Sequence, residues 1–357
     1  MGDMITIDGS IGEGGGQILR TALALSMALG LPFRMQNIRS RRSRPGLKRQ
    51  HLTCVRAAQE LCSATVEGDA LNATDLTFAP GPLKPGSYHI AIGTGGSVTL
   101  VCQALLPPLL FADAPSQLSI SGGTHVPYAP PFEFLSQTLA PWLERLGPSL
   151  KVRMERIGYM NVGGGCVHLD IAPGTRPKDF APPSASPFRQ AQAVIYGHNL
   201  PGEILERETG VLLQDAGEAL NLTRNAVLWL NGSTACVEDC LPAEGTGNMV
   251  ILTLHHGEQI TVFGECGWRG RKAENVAGQA CRRALEFLRS GTDAEIHLAD
   301  QLLVPLALAG GGSFVAQRLS SHAATCCKVL ELFTGKRVRL EQLQGKAARI
   351  TVPPAKE

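Results

Sequence analysis

Arg34, Arg39, Arg41, Arg42, Arg44, Lys48 and Arg49 stand in one run that ends at His51, with no acidic residue between Glu13 and Glu60. Arginine presents a planar fork that matches phosphate oxygens in pairs, which lysine cannot do. The run follows a glycine turn, Gly12-Glu13-Gly14-Gly15-Gly16-Gln17, and an apolar segment. Glycines let backbone amides approach a ligand closely, and a helix start behind them favours anions. Together these features predict a phosphate-handling surface; a merely solvated basic face is the alternative. Glu13 is unexpected there, because a carboxylate repels phosphate. Either it shares a Mg2+ or Mn2+ ion with phosphate oxygens, or it interacts with the dipole of the helix start. His322 stands in Ser320-Ser321-His322-Ala323, at the start of a helix that either serine could cap. The positive helix end disfavours its protonated form and leaves a ring nitrogen free as a nucleophile. A structural histidine is the competing reading.

Composition bounds what this surface serves. At 357 residues the chain holds one large domain or two ordinary ones. Its hydrophobic and charged fractions are those of a folded globular protein. The net charge is only +2, so the basic run is a local patch on a nearly balanced molecule. The ten cysteines include no Cys-x-x-Cys pair and no zinc-type Cys/His set. Reduced thiols and a cytoplasmic location are expected. The apolar run over residues 21–33 is too short to span a membrane and lacks a basic leader, so neither anchor nor signal peptide is expected. Met1-Gly2-Asp3-Met4-Ile5-Thr6 fits the loose N-myristoylation pattern, but residues 5–7 suit a buried strand better.

Periodicity supplies the elements that must hold these residues. A strand over residues 4–8 feeds the glycine loop and a helix over 17–29 that Gly30 ends. A helix over 47–61, strands within 64–78 and a strand over 88–92 follow. The pattern Gly12-x-Gly14-Gly15-x-x-x-Leu19 then recurs as Gly93-x-Gly95-Gly96-x-x-x-Leu100, again before an apolar helix. Gly310-Gly311-Gly312 before the apolar segment 315–333 is a looser third echo. Strand–glycine turn–helix units of this kind predict an internally repeated α/β architecture. Chance recurrence among forty glycines is the alternative. A strand over 118–124, a helix over 130–146 and strands within 151–171 come next. The composition of residues 173–187 shifts to proline, serine and alanine, as in a linker. Beyond it a further α/β unit is expected to residue 290, with helices over 203–218 and 272–288. Its strands are expected over 191–196, 234–237, 250–255 and 259–263.

There is no Walker-type glycine loop, and Gln17 stands where Gly-x-Gly-x-x-Gly needs its last glycine, so a common nucleotide fold is not indicated. Longer motifs are more specific. They include Gly12-Glu13-Gly14-Gly15-Gly16-Gln17-Ile18-Leu19-Arg20 and Arg39-x-x-Arg42-x-x-Pro45-Gly46-Leu47-x-x-Gln50-His51-Leu52. Further on come Ser121-Gly122-Gly123-Thr124 with Ala129-Pro130-Pro131, then Leu298-Ala299-Asp300-Gln301, and Ser321-His322 before the last helix. In this order they closely resemble the RNA 3'-terminal phosphate cyclase family, over the whole chain and most weakly in the inserted unit.

The resemblance implies an α/β (α+β) fold: three βαβαββ-type units in a large domain over residues 1–184 and 291–357, with a smaller α/β domain inserted at 185–290. It implies that His322 takes AMP from ATP and that AMP passes to an RNA 3'-phosphate. The 2'-hydroxyl then closes a 2',3'-cyclic phosphate. By similarity Glu13 binds the Mg2+ or Mn2+; Arg20, Arg39, Arg42, Gln50 and His51 surround the phosphates; Gln103, Pro130, His297, Leu298, Ala299, Asp300 and Gln301 hold the nucleotide. The implied partners are ATP and RNA 3'-phosphate ends, with no membrane, and the oligomeric state is left open between monomer and homodimer. Ile157 and Asn161 depart from a family pattern with a basic residue and a proline, and His297 replaces a common tyrosine beside the nucleotide. Gly267-Trp268-Arg269-Gly270 replaces a simpler family sequence. Two other classes compete: a non-catalytic cyclase-like RNA-binding protein acting in ribosome assembly, which would lack the histidine, and a repeat-built transferase whose arginines hold a phosphorylated metabolite.

Overall fold

A computed structural model of the chain describes residues 4–174, 180–183, 187–231 and 243–355. The first unit runs β1 (Ile5–Asp8), α1 (Gly16–Leu29), β2 (Phe33–Gln36), α2 (Arg49–Cys62), β3 (Thr65–Glu67) and β4 (Leu76–Ala79). Its sheet has the order β1-β2-β4-β3, with β1 parallel to β2 and the other pairs antiparallel. The second unit runs β5 (Ser87–Ala91), α3 (Val98–Leu110), β6 (Ser116–Gly122), a π-helical turn with α4 (Ala140–Glu144), β7 (Ser149–Gly158) and β8 (Gly165–Ala172). Its strands lie in the corresponding order, β5-β6-β8-β7, again with only the first two of them parallel.

Next comes a unit with its own sheet: β9 (Phe188–His198), α5 (Gly202–Ala216), β10 (Val227–Asn231), β11 (Ala243–Glu244), β12 (Gly247–His256), β13 (Gln259–Gly267) and α6 (Ala273–Ser290). Its sheet order is β10-β9-β12-β13, while the short β11 joins the second sheet beside β7. The chain closes with α7 (Ile296–Ala309), β14 (Gly312–Ala316), α8 (Ser321–Thr334), β15 (Arg339–Gln342) and β16 (Ala348–Val352). Here the order β14-β16-β15 repeats the last three positions of the earlier sheets. A single parallel bridge, Ala294 to Ala316, stands where a first strand would lie.

The mixed α/β class expected from the sequence is observed, with three differences in detail. Gly310 and Gly311, at φ 115° and 91°, end α7 and lead into a strand, so the third glycine run does not open a helix. Those left-handed angles exclude most side chains, which explains glycine there without a ligand. The helix expected over 130–146 is a π-helical turn, Phe134–Leu139, followed by a short α-helix. Pro141 has no N–H for the helical ladder, and the preceding turn widens, with the Ala140 amide reaching the Leu135 carbonyl. Strand β10 was not anticipated. The strand expected over 234–237 lies outside the described residues, as does most of the expected linker.

Two hydrophobic cores result. The larger joins the first, second and last sheets; the smaller lies within residues 191–287. In the larger core α1, α3 and α7, the first helix of each unit, pack against one another. Each is buried on nearly all sides, so its residues are apolar almost without interruption. Polar side chains in such helices need specific partners, because burying them unpaired costs about 1–3 kcal/mol each. Several large polar side chains stand in their N-terminal halves: Gln17 and Arg20 in α1, Gln103 in α3, Asp300 in α7.

Candidate active site

The N-terminal ends of α1 and α8 bring together residues three hundred positions apart. Gln17 and Arg20, three positions apart, share the face of α1 that Glu13 precedes by one turn. Gln17 is buried, and its Oε1 contacts Nδ1 of His322. The other ring nitrogen, Nε2, lies 2.7 Å from Glu13 Oε2. Ser320 caps α8, its hydroxyl accepting from the Ala323 amide at 2.9 Å, which places His322 in the first turn. Burial lowers the pKa of His322; Glu13 opposes the shift, and Arg20 and Arg42 reinforce it. Gln17 Oε1 is an acceptor and favours hydrogen on Nδ1, while the Glu13 carboxylate, also an acceptor, faces Nε2.

Arg42 donates to the other oxygen of Glu13, so the carboxylate joins the basic loop to the histidine. Arg41 donates to the Gly12 carbonyl at 2.9 Å and ties the same loop to the glycine turn. Glu13 Oε2 is buried and makes no aligned hydrogen bond despite its closeness to the ring. The start of α1 carries no side-chain cap and no acid in its first turn, so its amides remain available to an anion.

Arg20 is only 7% exposed and donates from Nε to Gln103 Oε1 at 2.7 Å. Asp300 is equally buried, and burial raises its pKa well above the carboxylate range; Glu295 adds to the shift and Arg20 opposes it. The ends of the three central helices are thus electrostatically coupled. His51 packs its Nε2 against the Gly16 backbone, where a Cβ would come within 2.2 Å of it. Its Nδ1 faces the Lys48 amide at 3.3 Å, and burial, with Arg20, Arg39 and Lys48 nearby, pushes its pKa down to about 3. It is neutral at any physiological pH.

Other sequence-selected residues are engaged elsewhere. Arg39, at φ 54°, donates to the carbonyls of Arg44 and Gly46, both at 2.9 Å, and so closes its own loop. Gln50 Oε1 accepts from the Ser97 amide at 2.8 Å, joining α2 to the start of α3. The Pro130 carbonyl accepts from Thr99 Oγ1 at 2.7 Å. Leu298 and Ala299 are fully buried, with amides bonded to Glu295 Oε1 and the Glu295 carbonyl at 2.6 and 2.9 Å. They anchor the turn that carries Asp300 and the half-buried Gln301. His297 is half-buried; burial lowers its pKa, Glu295 opposes this, and Arg283 and His322 reinforce it.

The sequence model of the RNA 3'-terminal phosphate cyclase family matches residues 11–340. The chain belongs to this family. A curated RNA 3'-terminal phosphate cyclase of Ectopseudomonas mendocina is 42% identical over 351 residues, covering 98% of each chain. One from Koribacter versatilis is 44% identical over 334 residues, covering 93% of this chain and 90% of its own. The corresponding protein of Salmonella enteritidis PT4 is 40% identical over 346 residues, covering 97% of this chain and 98% of its own.

As a cyclase family member the chain is read as an enzyme of ligase type, and the transferase reading falls away. Among the described residues no helix is long and apolar enough to cross a membrane. Sequence reasoning passed over Gln17 and Arg41 as site residues. The signal for Gln17 was present: a polar side chain one turn after Glu13 and three residues before Arg20, in a segment that is mostly apolar to Leu25.

Proposed function

We propose that this chain converts an RNA 3'-terminal phosphate to a 2',3'-cyclic phosphodiester, with ATP as co-substrate and His322 as the nucleophile. The observation that carries the reading is the two-sided hold on His322: Gln17 at Nδ1, and Glu13, itself tied to Arg42, at Nε2. The Gln17 side of that hold favours the tautomer with a lone pair on Nε2, as a nucleophilic imidazole requires, and the Glu13 carboxylate must move off Nε2 before attack. The lone pair attacks the α-phosphorus of ATP, forming a P–N bond and releasing pyrophosphate. An oxygen of the RNA 3'-phosphate then displaces His322, giving an RNA end joined to AMP through a diphosphate. The 2'-hydroxyl attacks the RNA-side phosphorus, AMP leaves, and the ring closes as that hydroxyl loses its proton.

Adenylation is needed because oxide is a poor leaving group and a phosphate dianion repels nucleophiles. Transfer of this kind is catalysed mainly by position and by charge facing the phosphoryl oxygens. Arg20, Arg42 and the uncapped amides of α1 supply that charge, with the neutral His51 behind the glycine turn. Arg39 and Gln50 contribute by shaping the basic loop and the start of α3. Gln103, Pro130, His297 and the turn Leu298-Ala299-Asp300-Gln301 frame the nucleotide.

Glu13 fits a Mg2+ or Mn2+ ion, since one buried carboxylate oxygen lacks an aligned donor and such ions are bound by one or two carboxylates together with substrate phosphates. Bound there, the ion would neutralise phosphate charge. The separate hydrophobic core within residues 191–287 supports a division into a catalytic body, 1–184 and 291–357, and an inserted domain, 185–290. We place the enzyme in the cytoplasm.

The test is incubation with α-labelled ATP and Mg2+ or Mn2+ without RNA, followed by a denaturing gel. An acid-labile, alkali-stable labelled band that vanishes in His322→Ala is expected. Absence of label with either metal, with pyrophosphate removed, would instead favour the non-catalytic RNA-binding reading.

A further inference from the structure

A cavity of about 910 Å³ separates the second unit from the inserted one, and none of the residues assigned above to ATP or to the 3'-phosphate lines it. Tyr128 stands on one wall, 92% exposed, and Trp268 on the other, 41% exposed. Their ring centroids are 6.1 Å apart, with planes tilted by 36°. The rings are tilted against each other and both side chains remain exposed. Tyr128 also has φ 62°, an angle disfavoured for a bulky residue. An aromatic side chain this exposed, on a backbone this unfavourable, contributes little to folding.

The exposed charged residues lining this cavity, Arg207, Arg269 and Lys272, are all cationic. Arg271 sits with its guanidinium 4.6 Å from the Trp268 ring centre, held there by Glu265 at 3.0 Å and the Cys266 carbonyl at 2.7 Å. Arg269 and Lys272 line the same cavity and are exposed; their side chains make no hydrogen bond or ion pair among the described residues, Lys272 lying only in the longer-range field of Glu274. The acid on the wall, Glu208, is buried and accepts from Asn248 at 3.0 Å. Exposed aromatic faces beside unpaired cations match a single-stranded polynucleotide. Its bases stack on such faces whatever their identity, and its phosphates need the cations.

The cavity is also connected to the His322 site. Tyr128 is two residues from Pro130, so their Cα atoms are at most about 7.6 Å apart. From Trp268 the ion pairs run Arg271 to Glu265 to Arg283 at 3.0 Å each, and on to Glu295 at 3.9 Å. Glu295 caps α7, which carries His297, Asp300 and Gln301. We propose that Tyr128 and Trp268, with Arg269, Arg271 and Lys272, form a stacking subsite for an unpaired base of the RNA strand upstream of its 3'-phosphate. This rests on the function proposed above and assigns a role to Gly267-Trp268-Arg269-Gly270.

The test measures binding directly, without turnover. A hexaribonucleotide 3'-phosphate is titrated into the full chain, Trp268→Ala and Trp268→Phe, followed by a fluorophore on the RNA 5' end. A nucleoside 3'-phosphate, which has no upstream base, serves as competitor. Loss of one stacking face should weaken hexamer binding by about tenfold or more, with Trp268→Phe retaining most of it and the nucleoside 3'-phosphate binding all three proteins alike. Abasic sites placed one at a time along the hexamer should reproduce the loss at one position in the native chain and add nothing in Trp268→Ala. Labelling of His322 by ATP without RNA shows separately that each protein is folded and whether the proposed function holds.

Equal hexamer affinity in native and Trp268→Ala chains overturns the subsite, even where His322 is labelled. A raised ATP requirement for labelling in Trp268→Ala also overturns it, by making the cavity part of the nucleotide site. Failure of labelling in the native chain counts against the cyclase reading and leaves the binding comparison to decide the subsite by itself.

Discussion

The His322 site and the Trp268 cavity use similar residue types in opposite ways. At the first, Glu13, Arg20 and Asp300 sit at the ends of tightly packed helices; Glu13 meets Arg42 and His322, and Arg20 meets Gln103. At the second, the exposed side chains of Arg269 and Lys272 have no ion-pair partner among the described residues, and Tyr128 and Trp268 are exposed. Low dielectric and fixed partners set the direction of each group, which a covalent transfer needs. Open cations and π-faces accept many partners with modest energy, which suits a strand of variable sequence. One region carries precision and the other tolerance, and each can be broken separately.

The largest break is at His322. Its replacement by alanine should lower ATP-dependent labelling and cyclisation by at least about a thousandfold, while binding of the hexaribonucleotide persists. A labelled His322→Ala protein would place the nucleophile elsewhere and dissolve the contrast. Next in size is Arg20→Ala. It strips the 7%-exposed guanidinium from Gln103 and from the neighbourhood of Asp300. Removing one member of a buried charged set costs about 3–5 kcal/mol, which denaturant unfolding at pH 7 would show. A loss below about 1 kcal/mol would mean that water already reaches these helix ends and that their rigidity is not electrostatic.

Much of the first region is legible in the sequence. Helix α1 has an apolar run with Gly30 at its left-handed end, and the observed helix stops there. The resemblance gives Glu13 and His322 separate roles, and their pairing is not part of it, because no local pattern links positions three hundred residues apart. Gln17 was visible as a polar break, yet its partner was not. The run Gly310-Gly311-Gly312 misled because a helix terminator and an anion loop use glycine for the same positive φ. The cavity was least legible of all. Trp268 and Tyr128 are far apart in sequence, and an exposed aromatic cannot be told from a core one by residue type. The network from Arg271 to Glu295 likewise arises only when α6, β13 and α7 meet.

A smaller test probes the buried acid under the cavity. Burial raises the pKa of Glu208 to about 7; Asn248, Arg207 and Arg271 oppose the shift. Below the unfolded pKa of 4.5 both states are protonated and nothing is lost. Between 4.5 and about 7 the folded state holds the proton more tightly, so stability falls as pH rises through that window. The full loss is about 3 kcal/mol at 1.36 kcal/mol per pKa unit. Glu208→Gln should therefore unfold at higher denaturant than the native chain at pH 8, and equally at pH 4. Equal stability at both pH values would show that the carboxylate is solvated, and that the cavity floor is as open as its rim.

Gln50 gives the smallest effect and the sharpest division between holding and binding. Its Oε1 accepts from the Ser97 amide at 2.8 Å, and its side chain lies where a Cβ on Gly96 would meet it at 3.1 Å. It joins α2 to the start of α3, across two of the repeated units. Gln50→Ala should cost about 1 kcal/mol for the lost hydrogen bond and slow labelling only through that displacement. Gln50→Glu keeps the acceptor, so it should restore stability; if the amide nitrogen faces phosphate, it should also replace a donor by a repelling charge. Stability and RNA affinity of the two variants then separate the roles. Recovery of both in Gln50→Glu makes Gln50 a strut between units. Recovery of stability with RNA binding still weakened puts its amide among the phosphate contacts and extends the buried, paired region by one residue toward the substrate.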